Sequence, residues 1–252
     1  MIRKPMIRQK RPAWRRRVGI AVLLLAALAA IATHAPALHL LGSRTYRTFP
    51  AAGGKAPVAA VFLSGDMGFD FGMSGAVSKG LAAHGIPVVG VVSPVAFAHH
   101  RTRAQAQAVV TDAIGRALRQ TGAQRIILMG GSFGADIVAT VAPDLPADLR
   151  ARIAAIGLTV PGRDVYFRAD PSGLAYLGTP EARPAAALRR LGWAPVICIY
   201  GVEESDSLCP LLKGSGAQVI GLPGGHYLRR DPARLTATVL RALHVAGPAT
   251  GV

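Results

Sequence analysis

Ser132 lies in Gly130-Gly131-Ser132-Phe133-Gly134, between an apolar run at Arg125 to Met129 and a helical segment starting at Ala135. This G-x-S-x-G pattern, placed between a strand and a helix, is the arrangement that lifts a serine hydroxyl above a sheet on a turn too tight for large residues at the glycine positions. A serine hydroxyl attacks only when a base takes its proton. Of seven histidines, His34 and His39 fall in an N-terminal apolar segment, His84 ends a helix, His99 and His100 sit in a loop, and His244 lies in the final helix. Only His226, in Leu222-Pro-Gly-Gly-His226, directly follows a C-terminal strand, so it is the expected base.

The acid that orients the base should follow the preceding strand, where Tyr200-Gly-Val-Glu203-Glu204-Ser-Asp206-Ser-Leu-Cys209 carries three carboxylates. Asp206 is the first choice, and Glu204, counted from Gly201, is the alternative. An oxyanion hole needs two preorganised N–H donors. Phe133 supplies one, and Asp66 or Met67, in Ser64-Gly65-Asp66-Met67-Gly68 after the first buried strand, supplies the other. Cys198 and Cys209 are the only cysteines, and in an oxidising compartment a disulfide between them would brace the acid loop. No metal-ligand cluster is visible, and acyl-serine chemistry needs no cofactor.

The elements that must hold these groups alternate. Pro57–Leu63, Ile86–Val92, Arg125–Met129, Ile153–Val160, Ala194–Tyr200 and Ala217–Leu222 read as strands. Ser74–His84, Thr102–Thr121, Ala135–Val141, Pro184–Leu191 and Pro232–Val245 read as helices. Thr45 to Phe49 alternates as an edge strand, and Arg163 to Arg183 is a polar excursion bearing proline and glycine. Alternation of this kind implies a mostly parallel sheet with helices on both faces, whose site lies beyond the carboxyl ends of the strands. With the order Ser, acid, His, this predicts an α/β-hydrolase fold with a minimal lid over residues 57–252.

Residues 1–41 are different, and 42–56 link them to the domain. Arg3, Lys4, Arg8, Lys10, Arg11, Arg15, Arg16 and Arg17 precede fifteen residues, Val18 to Ala32, without a polar side chain. That grammar is a signal peptide, with Ala30-Ile31-Ala32 offering small residues for cleavage, or an anchor if the apolar stretch continues to Leu41. An anchor is the favoured reading, and either way the domain is expected outside the cytoplasm. The net charge is +16, half of it in this terminus. It suits an anionic inner membrane better than nucleic acid, for which no basic recognition element with interleaved aromatics is present.

Several segments together resemble the VirJ/AcvB family of bacterial virulence-associated α/β-hydrolases. They are Leu63-Ser-Gly-Asp-Met-Gly-Phe69, Gly85-Ile-Pro-Val-Val-Gly90, Gly131-Ser-Phe-Gly-Ala-Asp136, Leu145-Pro-Ala-Asp-Leu-Arg-Ala-Arg152, Cys198 to Cys209 and Leu222-Pro-Gly-Gly-His226. The family's first motif usually reads Ser-Gly-Asp-Gly-Gly-Trp, and here Met67 and Phe69 stand at the second-last glycine and the tryptophan. The resemblance implies a periplasmic enzyme hydrolysing lysyl-phosphatidylglycerol, an aminoacyl ester on a phospholipid, with links to virulence-associated secretion and its components. A lysyl ester carries positive charge beside its carbonyl, so Asp66 or Asp136 is a candidate contact for the amine. An esterase or thioesterase of another substrate, or a secretion accessory protein with a secondary hydrolase site, is the alternative.

Overall fold

A computed structural model describes residues 13–52 and 56–244. The basic residues Arg3, Lys4, Arg8, Lys10 and Arg11 fall outside these, as does Val245, the expected end of the last helix. Helix α1 (Ala13–His34) is exposed from Trp14 to Ile31, with Arg15, Arg16 and Arg17 at its start. Its 22 residues extend about 33 Å at about 1.5 Å per residue, enough to cross a hydrocarbon core of about 30 Å.

The domain is one seven-stranded sheet: β1 (Tyr46–Phe49), β2 (Val58–Leu63), β3 (Val88–Val91), β4 (Arg125–Gly131), β5 (Ile153–Thr159), β6 (Val196–Gly201) and β7 (Gln218–Leu222), in the spatial order β1-β3-β2-β4-β5-β6-β7. The short β1 pairs antiparallel with β3 at one edge, and every other pairing is parallel. Strands β2 and β4 are buried on both faces, which is why they read as unbroken apolar runs.

Side chains of period two divide the core. Ala59, Val61 and Leu63 face a layer containing α4 (Arg103–Thr121) and α5 (Phe133–Val141), while Ala60 and Phe62 face α2 (Ser74–Ala83) and α8 (Pro232–Ala242). The helix ends follow local chemistry. Thr102 accepts the Gln105 N–H while Gln105 accepts the Thr102 N–H, and Gly122 closes α4 at φ 69°. Asp231 caps α8, with Pro232 at its first position. Three short helices complete the order: α3 (Ser93–Ala96), α6 (Ala147–Arg150) and α7 (Ala185–Arg189).

Helix α3 was not expected from the sequence. It follows β3 because buried Ser93 donates to the Ser64 carbonyl at 2.6 Å while its N–H donates to Ser64 Oγ at 3.0 Å. Those two bonds fasten the end of β2 to the end of β3. The chain passes from β2 to β3 on one side and returns to β4 on the other, so the strand order reverses between β2 and β4. The loops leaving these two strands therefore diverge and open a crevice.

Candidate active site

Ser132 occupies that crevice in a backbone conformation that side chains rarely adopt, φ 51° and ψ −126°. The flanking glycines allow it. A Cβ on Gly130 would lie 2.3 Å from the Gly134 carbonyl oxygen, and one on Gly134 would lie 2.2 Å from that of Leu63. Thr159, at the end of β5, accepts the Ser132 N–H at 2.8 Å and donates its hydroxyl to the Gly130 carbonyl at 2.9 Å. The buried Phe133 ring packs edge-on against Phe97, centroids 5.3 Å apart. Phe133 begins α5, so its N–H is one of the helix's unpaired N-terminal donors and lies next to the hydroxyl.

His226 meets Ser132 above this edge, with Nε2 2.8 Å from Oγ. Its loop is seated against the end of β6. A Cβ on Gly201 would fall 2.1 Å from the Gly225 carbonyl oxygen. On the other side of the ring, Nδ1 lies 2.5 Å from Glu204 Oε1. The expectation of Asp206 is thus corrected to Glu204. A tight turn, with the Glu204 N–H donating to the Gly201 carbonyl at 3.0 Å, tucks the Glu204 side chain inward until 5 % of it is exposed. Asp206 lies two residues farther along on the exposed side, and its carbonyl accepts the Arg163 N–H at 2.9 Å.

Burial alone would discourage protonation of the imidazole. The hydrogen bond and charge of Glu204, with the charges of Asp136 and Asp206 behind it, outweigh that and raise the His226 pKa above its ordinary 6.5. A serine hydroxyl, an imidazole and a buried carboxylate in this order can move a proton from hydroxyl to ring, with the resulting cation held by the acid.

Gly65 approaches the nucleophile closely, since a Cβ there would lie 3.6 Å from Ser132 Cβ. Asp66 and Met67 follow at the mouth of a pocket of about 550 Å³. Five acids line it, Asp66, Asp136, Asp164, Glu204 and Asp206, against one arginine, Arg163. In a chain with 13 acids and a net charge of +16 this is a marked local reversal of sign. Asp136, in the first turn of α5, reaches across with Oδ1 to accept the Gly162 N–H at 2.7 Å. Burial pushes its carboxyl well above the usual range, and burial raises Asp66 as well.

The Asp66 carboxylate accepts the Tyr176 hydroxyl at 3.2 Å, and that hydroxyl accepts the Asp170 N–H at 3.0 Å. Tyr176 was not anticipated. It belongs to the polar excursion, which forms one wall of the pocket and carries a single short 3-10 turn at Leu174–Leu177. Cys198 and Cys209 are joined by a disulfide whose 11-residue separation brackets Glu204.

The sequence profile described as "Bacterial virulence protein (VirJ)" matches residues 57–246. No curated protein matches in sequence at a significant level. Solved structures with a similar fold include Est1E from Butyrivibrio proteoclasticus, which carries bound ferulic acid (14 % identity, 79 % of this chain and 93 % of that one, TM-score 0.60). A hydrolase from Pseudomonas aeruginosa PA01 is similar at 16 % identity over 80 % of this chain and 94 % of its own, TM-score 0.58. The esterase domain of a Rhodothermus marinus protein is similar at 14 % identity over 80 % and 93 %, TM-score 0.56. These likenesses identify the architecture as that of the α/β-hydrolases.

Proposed function

The chain belongs to the VirJ family of bacterial virulence proteins, and we propose that this member is a serine esterase, working on the outer side of the inner membrane, that hydrolyses an aminoacyl ester carried by a phospholipid. The observation that carries the esterase reading is the continuous hydrogen-bonded series Ser132–His226–Glu204 at the floor of the pocket. Ser132 attacks the ester carbonyl while His226 takes its proton, and the lipid hydroxyl leaves with that proton. Water then cleaves the acyl-serine by the same path in reverse. The Phe133 N–H, with that of Asp66 or Met67, holds the oxyanion.

The aminoacyl part rests on the pocket's charge. Asp66 and Asp136 have raised pKa values because burial penalises their anions. An ammonium group entering the pocket would offset that penalty and restore their charge, so an ester with a cationic acyl group gains affinity that an uncharged one does not. The apolar lining from Phe71, Met73 and Val160 favours a second reading, an esterase or thioesterase for an uncharged acyl chain.

A fluorophosphonate probe tests the esterase reading. Labelling at Ser132 that disappears in a folded Ser132→Ala variant supports it, and a folded wild type that does not label overturns it. Incubation with lysyl-phosphatidylglycerol vesicles tests the substrate: release of lysine and phosphatidylglycerol by wild type but not Ser132→Ala is expected. Equal turnover of uncharged acyl esters by wild type, Asp66→Ala and Asp136→Ala, with no preference for lysyl esters, would remove the aminoacyl reading.

A further inference from the structure

The end of α1 is tied to the wall of the pocket. The Thr33 carbonyl, among the last in the helix, accepts Arg168 Nη2 at 2.8 Å. Thr33 Oγ1 lies 2.9 Å from Ser172 Oγ. Because the Ser172 hydroxyl already donates to Asp170 Oδ1 at 2.6 Å, Thr33 is the donor in that contact. A guanidinium on a helix's terminal carbonyl is electrostatically favourable, and it fixes where the helix ends relative to the domain.

The same excursion then turns outward. Asp170 gathers the N–H groups of Ser172 and Ala175 at 3.0 and 2.8 Å and so builds a compact turn around its buried carboxylate. That turn presents Leu174 and Leu177, 50 % and 82 % exposed, beside the pocket-lining residues Ser172, Gly173 and Tyr176. Phe71, 54 % exposed, stands on the rim. Leu38 and Leu40, just beyond the end of α1, are exposed too. Leucines so exposed at the end of an apolar helix, with the exposed Arg163 on the pocket wall, have the composition of a surface that rests in the interfacial layer of a bilayer.

We propose that the Leu174–Leu177 turn is a bilayer-docking element, held at the membrane by α1 so that the pocket mouth opens onto the lipid surface. The occupant is a membrane surface because the patch is continuous with the end of a helix long and apolar enough to span one. A substrate then need not leave the bilayer. Its headgroup rises into the acidic pocket while its acyl chains stay between the rim leucines and the neighbouring lipids. The inference concerns how the mouth is placed, and it goes beyond the esterase reading without depending on it.

The test uses the full chain reconstituted in vesicles of phosphatidylethanolamine and phosphatidylglycerol with brominated acyl chains. Tryptophan is introduced at the turn (Leu177→Trp) or at an exposed position at the opposite end of the sheet (Gln124→Trp), and emission is compared with the parent protein. Quenching of the added emission by about twofold at position 177 and none at 124 is expected if the turn enters the interface. Equal quenching at both positions overturns the proposal. So does a tryptophan at 177 that brominated lipid leaves untouched while a dimer forms in detergent, which would assign the patch to a second copy.

A Leu174→Ser/Leu177→Ser variant adds a kinetic reading. Turnover of a vesicle-borne ester should fall by about tenfold or more, from the lost transfer of two leucines, while hydrolysis of a soluble short-chain ester stays unchanged. Equal losses on both substrates also overturn it. The quenching measurement reads no activity, so failure of the esterase reading leaves it standing as a separate result.

Discussion

Replacing Glu204 by Gln keeps the shape of the side chain and an oxygen able to accept from Nδ1, but removes the charge. When Ser132 attacks, His226 becomes a cation. Glu204 Oε1 lies 2.5 Å from Nδ1 and the carboxylate is 5 % exposed, so the pair is largely shielded from solvent. Taking charge centres about 4 Å apart and an effective dielectric of about 20, the interaction is about 4 kcal/mol. That corresponds to about a thousandfold in kcat/KM. Asp206→Asn removes a charge on an exposed residue that does not touch the ring, and should cost about threefold or less, as exposed charges do.

The assay is kcat/KM on a soluble p-nitrophenyl ester from pH 5 to pH 9, with circular dichroism to establish folding. The base works only when neutral. A raised His226 pKa therefore means that wild-type activity is lost as pH falls through a value above 6.5, and in Glu204→Gln that limb moves to lower pH. A loss in Asp206→Asn as large as that in Glu204→Gln, or an acid limb that stays in place when Glu204 is neutralised, would refute the reasoning.

Asp136→Asn keeps the acceptor for the Gly162 N–H while removing a buried charge. Since the folded protein holds the Asp136 carboxyl well above 3.8, wild type loses stability as pH rises through that raised value; the variant should have the higher Tm at pH 8, with the difference shrinking at pH 4, in thermal scans. The same variant should lose selectivity for a lysyl over an uncharged ester in paired kinetics. Gly134→Ala forces a Cβ to 2.2 Å from the Leu63 carbonyl oxygen and should destabilise by about 3 kcal/mol or prevent folding, read by urea denaturation. Opening the disulfide in a Cys198→Ser/Cys209→Ser variant should cost about 3 kcal/mol by the chain-entropy relation for a short loop, visible as a lower urea midpoint.

Much of this architecture can be read from the residues alone where burial forces a pattern. Val58–Leu63 and Arg125–Gly131 must be apolar on both faces, and each ends in a glycine-bearing turn, so strand, turn and nucleophile are visible together. His226 stands out because it alone of the histidines directly follows a C-terminal strand. The acid is less visible. Asp206 and Glu204 are two residues apart in an irregular turn, and a single hydrogen bond to the Gly201 carbonyl decides which carboxylate faces inward. The excursion from Arg163 to Arg183 has no periodicity to read. Asp170, Glu181 and Tyr176 hold it through bonds to backbone N–H groups, so its role as a pocket wall emerges only in three dimensions.

The covalent link between Cys198 and Cys209 encloses the turn that carries Glu204, so oxidation of the two thiols and alignment of the imidazole are physically joined. With the two thiols reduced, the chain would hold this carboxylate on a looser tether, and the Ser132 hydroxyl would be poorly activated. Full catalytic competence would then be acquired only once the disulfide has closed.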